Sequence, residues 1–172
     1  MRGRKAAPGF TPAASRNLGQ EAFAGASQVG TSRLRESLDL SKAQGLPRYE
    51  ALQPHYNLYE RANVERDFVP ICQAETLGIA PSYGLASGFL TGKYGSSADF
   101  GKSPRGGGMA KFLNPRGMAI LDALDEVAKK HNAKQASVAL AWLASRPATV
   151  APIASATKVE QVKDLIAAGD LK

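Results

Sequence analysis

The sequence predicts an α/β protein built on a parallel sheet, and three observations support this. Short apolar runs of strand length recur at residues 22–27, 49–53, 78–81 and 150–154. Each is followed by a stretch with apolar residues at helical spacing. Each run also ends on a polar residue or opens into a loop rich in Gly, Ser, Thr and Lys. A strand, a polar end, a loop and a helix, repeated four times, make the βα unit of a parallel sheet, where ligands gather at the carboxyl ends of the strands.

Taken in order, residues 1–19 are rich in Pro, Gly, Ala, Ser and Arg without an apolar period. They read as a disordered or unrelated leader, with the domain spanning 20–172. After the first strand, Thr31 or Ser32 suits an N-cap for a helix through Leu34, Leu38 and Leu40, which Gly45 and Pro47 end. The second strand, 49–53, leads into the loop 54–61. A helix over 64–77 places Phe68, Ile71 and Cys72 on one face. Strand three, 78–81, is followed by the Gly-rich loop to Tyr94. Residues 95–114, including Gly106, Gly107 and Gly108, read as a long structureless loop of the lid or binding kind. Pro115 opens a helix through Ile120, Leu121, Leu124 and Val127 to about Lys130. Ser137 is expected to cap a helix over 138–144 that stops before Pro147. The fourth strand, 150–154, turns through 155–158 into a last helix over 159–168.

Composition narrows the classes. The chain has 172 residues, 44% of them hydrophobic and 22% charged, as in one soluble globular domain. A closed eight-stranded α/β barrel typically needs about 250 residues. The single cysteine excludes an internal disulfide framework and a cysteine metal cluster. No run approaches the roughly 20 apolar residues of a membrane span, and the basic start lacks the apolar core of a secretory signal. A cytoplasmic location is the default expectation. The net charge of +7 is spread along the chain, with no aromatic-basic platform, so no nucleic-acid partner is expected.

The stretch from Gly78 to Tyr94 is the centre of the functional reading. Its glycines let backbone approach a ligand closely, and its hydroxyls, amides and Lys93 suit phosphate oxygens. Ser27, Gln53, the 82–93 loop and the 155–158 turn all fall at strand carboxyl ends, and four such features on one rim favour a site over four unrelated turns.

These residues resemble the aldo-keto reductase family. The resemblance rests on Gly25-Ala26-Ser27, Leu52-Gln53-Pro54-His55-Tyr56-Asn57-Leu58, the run from Leu85 to Tyr94, Ala139-Leu140-Ala141-Trp142-Leu143, and the run from Ile153 to Gln161, in the family's order and at its spacing. It implies a (β/α)8 TIM-barrel type fold of which this chain holds only about the last four βα units. It also implies the family's reaction, the reduction of an aldehyde or ketone, a small-molecule carbonyl substrate, by a hydride from NADPH. By the same resemblance, Ser27, Gln28 and Gln53 would hold the nicotinamide carboxamide, with Gln28 standing where the family usually has Asn. Leu85, Ser87 and Lys93 would lie along the pyrophosphate. Ser155, Thr157, Lys158 and Gln161 would hold the 2′-phosphate and adenine, with Asp164 at the adenine amino group; the family's later Asn is Leu165 here. The position of the ring that stacks on nicotinamide is Ser82, with Tyr83 next, so either Tyr83 takes over the stacking or the platform is missing.

The resemblance also implies an absence. The family's proton-donating Tyr, with its Lys, Asp and His partners, belongs to the first four βα units, and no segment of this sequence resembles them. Tyr56, Tyr59 and His55 belong to the post-strand loop pattern and are not candidates to replace them. His131, at a helix end, reads as structural, and Cys72 and Trp142 as core. The expectation is therefore a truncated reductase, inactive by itself, or, alternatively, a non-catalytic NADPH-binding or regulatory module. Its open barrel edges would favour self-association.

Overall fold

A computed structural model describes residues 24–102 and 106–171. The expected leader over residues 1–19 and the start of the first strand lie outside the described residues. Three parallel strands, β1 (Ala24–Ser27), β2 (Tyr49–Gln53) and β3 (Gly78–Ile79), form a sheet in the order β1-β2-β3. Right-handed crossovers through helices are what parallel neighbours require. The register sets Ala26 opposite Leu52 and Ser27 opposite Gln53, after an irregularity between Ala24 and Gly25. Leu52 in turn faces Ile79.

Helix α1 (Thr31–Gln44) buries Leu34 and Leu38, while Leu40 faces solvent. Its N-cap is Gly30, without a side-chain hydrogen bond, so neither Thr31 nor Ser32 caps it: Thr31 is already helical. Gly45 ends the helix as expected, at φ 62°, donating its N–H to the Ser41 carbonyl. The helix expected over 64–77 is shorter and irregular. A π-helical turn (Val64–Phe68) precedes α2 (Val69–Ala74), and Val69 N–H still bonds the Val64 carbonyl. Pro70 has no N–H to donate, so the change from π to α register falls where a donor is missing anyway.

Two further expectations are corrected. Residues 95–114 are not structureless: 3₁₀ segments at Ser97–Lys102 and Gly106–Phe112 run through them, and Met109 and Phe112 are buried. Aromatic packing orders this stretch. Phe112 stacks on Phe89 at 4.9 Å and meets Tyr59 edge-on at 4.9 Å. The fourth strand, expected over 150–154, does not form. Residue 149 makes one isolated parallel bridge to Ile79, and Val150 and Ile153 donate to the Ile79 and Pro81 carbonyls. Pro152 supplies no donor between them, and Val150 is left 68% exposed.

Helix α3 (Pro115–Lys130) has its expected bounds, capped by Asn114, whose side chain accepts from Gly117 N–H at 3.0 Å. Leu121 and Leu124 are buried, whereas Val127 is exposed. Helix α4 (Gln135–Ala144) starts earlier than expected, and Ser137 is inside it. The wholly buried Ser137 hydroxyl instead donates to the Asp164 carbonyl at 2.7 Å, tying α4 to α5 (Val159–Ala167). One core gathers Leu34, Leu52, Cys72, Ile79 and Leu143 between sheet and helices. A second gathers Phe89, Leu90, Tyr94, Met109, Phe112, Leu121 and Leu124 beneath the post-β3 loop.

Gly117 marks a close contact of the second core, because a Cβ there would overlap the Phe112 carbonyl oxygen. An ordinary Gly→Ala change in a helix gains up to about 1 kcal/mol. Here the sign should reverse: Gly117→Ala is expected to destabilise the chain by about 1–3 kcal/mol through overpacking, read as a lower urea midpoint. An unchanged or higher midpoint would show that α3 does not approach Phe112 so closely.

Candidate functional site

The carboxyl ends of the strands bring several of the expected residues to one rim. Ser27 and Gln53 close their strands as register partners, both with exposed side chains. The Ser27 hydroxyl donates to the Gln53 carbonyl at 3.2 Å. Gln28 follows at φ 52°, in the left-handed region, also exposed. A hydroxyl and a carboxamide side by side offer both donors and acceptors to a planar amide ligand.

The post-β2 and post-β3 loops are zipped together. His55 and Ser82 form an isolated parallel bridge. Tyr56 N–H donates to the Ser82 carbonyl at 3.1 Å, and Ser82 N–H donates to the Pro54 carbonyl at 2.9 Å. The Ser82 hydroxyl also donates to the Pro54 carbonyl, at 3.0 Å. Ser82 is thus engaged by its neighbours, whereas the Tyr83 ring is 54% exposed and lies 4.1 Å from the His55 ring, tilted by 43°. Ser82, at the position expected for the stacking ring, carries no ring, and the Tyr83 ring next to it stands at the rim.

Beyond Tyr83 the chain turns sharply. Tyr83, Ala86, Ser87, Gly88 and Gly92 all have left-handed φ values, between 48° and 101°. Five such residues in ten make a compact cradle whose amides bend back on the loop. Gly84 lets it sit against α4, since a Cβ there would reach within 3.0 Å of Leu143. Leu85 and Ser87 are half-buried in this turn. Lys93 reaches back along it, its ammonium 4.9 Å over the Tyr94 ring and within 3.3 Å of where a Cβ on Gly88 would stand.

The 155–158 turn joins the rim through the Ile153 bond to Pro81. Ser155, Thr157 and Lys158 have exposed side chains just ahead of α5. The Gln161 carboxamide oxygen accepts from Thr157 N–H at 2.8 Å and from its hydroxyl at 3.2 Å, a variant of a capping box that shapes the start of α5. Asp164 is half-buried one turn further on, its carbonyl held by Ser137.

Tyr56 has the opposite character. It is wholly buried, its hydroxyl donates to Glu65 at 2.9 Å, and burial followed by that carboxylate raises its pKa. It packs in the core as part of the loop. Trp142 is half-buried, with the Arg61 and Arg146 guanidinium groups each 5.0 Å from its ring, a cation–π role that its apolar helix face did not announce. Asn57, buried between the two loops, is a residue the sequence reading passed over; its signal was an Asn placed two and three residues before the amides it caps. Among the described residues no cluster of His, Cys, Asp and Glu could hold a metal, and no helix is long and apolar enough to cross a membrane.

With that geometry in place, comparison with known proteins is decisive at the level of class. Residues 22–172 match the aldo/keto reductase family, and the chain belongs to it. It is similar to an aldo-keto reductase of Fusarium vanettenii, 30% identical over 87% of this chain and 40% of that protein. An aryl-alcohol dehydrogenase of Pestalotiopsis microspora is 30% identical over 91% of this chain and 39% of its own length. A rice protein named as a probable voltage-gated potassium channel subunit beta is 29% identical over 89% of this chain and 48% of its own. The chain therefore spans less than half the length of these relatives.

Cys72 gives the structure a pH signature. Burial pushes its thiol from an ordinary value of 9.0 up to about 11. A folded value above the unfolded one stabilises the chain below pH 9, and that contribution is lost as pH rises from 9 to about 11. The stability advantage of the wild type over Cys72→Ala should therefore narrow by roughly 2–3 kcal/mol between pH 8 and pH 11.5, measured by urea unfolding. A gap independent of pH would mean the thiol is not shielded.

Proposed function

We propose that this chain forms the C-terminal half of a (β/α)8 barrel and provides the NADPH-binding side of an aldo-keto reductase that reduces aldehyde or ketone substrates. The observation that supports this most is the rim itself. Ser27 and Gln53 are register partners at adjacent strand ends, and the Tyr83 ring and the left-handed Ser87–Gly88 cradle stand on the next.

The donor set fits the cofactor. Ser27, Gln28 and Gln53 would hold the carboxamide and so decide which face of the nicotinamide is presented. Tyr83 would stack on the ring, with Ser82 behind it. The 85–93 cradle, with Leu85, Ser87 and Lys93, would follow the pyrophosphate. Lys158 is the cation a 2′-phosphate needs, flanked by Ser155 and Thr157 at the N-terminus of α5. Gln161 would release its bonds to Thr157 or share them with the adenine, beside Asp164. When bound, the cofactor supplies the hydride. The Tyr, Lys, Asp and His that protonate the product would come from βα units without a counterpart in this sequence, so the chain alone is a cofactor-binding half.

The exposed Val150, Ile153, Val159, Val162 and Ile166 and the outer edge of β1 fit a face left for further barrel units or for a second copy. A non-catalytic, regulatory NADPH-binding role is the second reading, favoured by the similarity to proteins named as potassium channel β subunits in rice and Arabidopsis thaliana. Activity toward a generic aldehyde separates the two.

A thermal melt of the purified chain tests the cofactor site. NADPH at about a hundredfold excess over Kd should stabilise it by roughly 2.7 kcal/mol, raising Tm by about 5–10 °C. NADH, which lacks the 2′-phosphate, should raise it less, and Lys158→Ala should remove the difference. A melt indifferent to both cofactors would overturn the proposal.

A further inference from the structure

Asn57 is wholly buried and uses every hydrogen-bonding group of its side chain. Its Oδ1 accepts from the backbone N–H of Tyr59 at 2.9 Å and of Glu60 at 2.8 Å. Its Nδ2 donates to the Glu60 carboxylate at 3.3 Å and to the Tyr83 carbonyl at 3.1 Å. The first three bonds lie within its own loop and need no explanation beyond an Asx turn. The fourth crosses to the post-β3 loop.

That crossing falls at a particular point. The backbone ladder between the two loops runs from Pro54 and Tyr56 to Ser82. Tyr83 then turns to φ 57°, a conformation unfavourable for a bulky residue. Its carbonyl leaves the ladder there and accepts two bonds, the Ala86 N–H of its own turn at 2.8 Å and, from the neighbouring loop, Nδ2 of Asn57. The turn is what sets the Tyr83 ring outward beside His55, 54% exposed, when an extended residue would continue the ladder.

We propose that Asn57 is a positioning residue, which holds Tyr83 in its left-handed turn so that the ring stands at the rim as the stacking face for the nicotinamide. The use of the ring rests on the cofactor reading above; its placement does not.

Two variants and two measurements test this. Asn57→Asp keeps the acceptor for the Tyr59 and Glu60 amides and removes the donor to Tyr83. Asn57→Ser, whose shorter side chain withdraws the donor from the Tyr83 carbonyl, is the variant without a buried carboxylate, should that prevent folding. In the wild-type chain, ring protons of His55 and Tyr83 should show a nuclear Overhauser effect, and it should vanish in a variant that still unfolds cooperatively. NADPH affinity should fall about five- to tenfold, the size expected for one lost hydrogen bond. Tyr83→Ala should weaken it similarly, and adding the Asn57 change to Tyr83→Ala should weaken it no further. A persisting ring–ring effect in a folded variant overturns the proposal, as does a double variant whose losses multiply. If the wild type binds no NADPH, the cofactor reading fails with the nicotinamide part of the proposal, and the ring–ring effect alone decides whether Asn57 places Tyr83.

Discussion

The parallel register between β1 and β2 is the constraint from which the rim follows. Once Ala26 faces Leu52, Ser27 must face Gln53, and both strands end at the same height. A shift of β1 by one residue would turn Ser27 toward the core and Ala26 out. The register is held by burial, since Ala26, Leu52 and Ile79 are almost completely enclosed. Each buried aliphatic side chain is worth about 1.5–3 kcal/mol, so the core decides the position of groups that contribute little to it.

A second core does the same for the loops. The Phe89–Phe112 stack and the edge-on Tyr59 ring join the post-β2 loop, the post-β3 loop and the 106–112 segment into one packed body. Asn114 adds polar links there: its Nδ2 donates to the Tyr59 hydroxyl at 2.8 Å, and its Oδ1 caps α3. Left-handed residues concentrate above this body, from Tyr83 to Gly92. Non-glycine residues in that region hold strain only when their surroundings over-determine them. The contact of Gly84 with α4, the bond of Asn57 to Tyr83 and the Ala86 N–H on the Tyr83 carbonyl do so here. The chain belongs to the aldo/keto reductase family and spans less than half the length of the relatives it matches.

Much of this was legible in residue order because it depends on near neighbours. The strand at 49–53, the helix from Pro115 to Lys130 and the stop at Gly45 follow from spacing, a proline, an asparagine cap and a glycine able to take positive φ. Ser27, Gln53 and the 82–93 loop were recognisable as rim residues from the same local logic. What distant partners decide was not legible. Residues 150–154 have strand composition, yet a strand exists only if a neighbour pairs with it along its length, and Pro152 has no N–H to donate, so the pairing stays at isolated bonds to Ile79 and Pro81. Residues 97–112 look like an open loop because their glycines are many, while the aromatic rings that order them come from elsewhere in the chain. Ser137 looked like a cap because its partner, the Asp164 carbonyl, is 27 residues away. Local sequence settled which segments could be helix, strand or turn, for their energies arise within a few residues. Packing across the chain alone set the Tyr83 ring at the rim beside His55, because its surroundings include a hydrogen bond between two loops that only the folded sheet brings together.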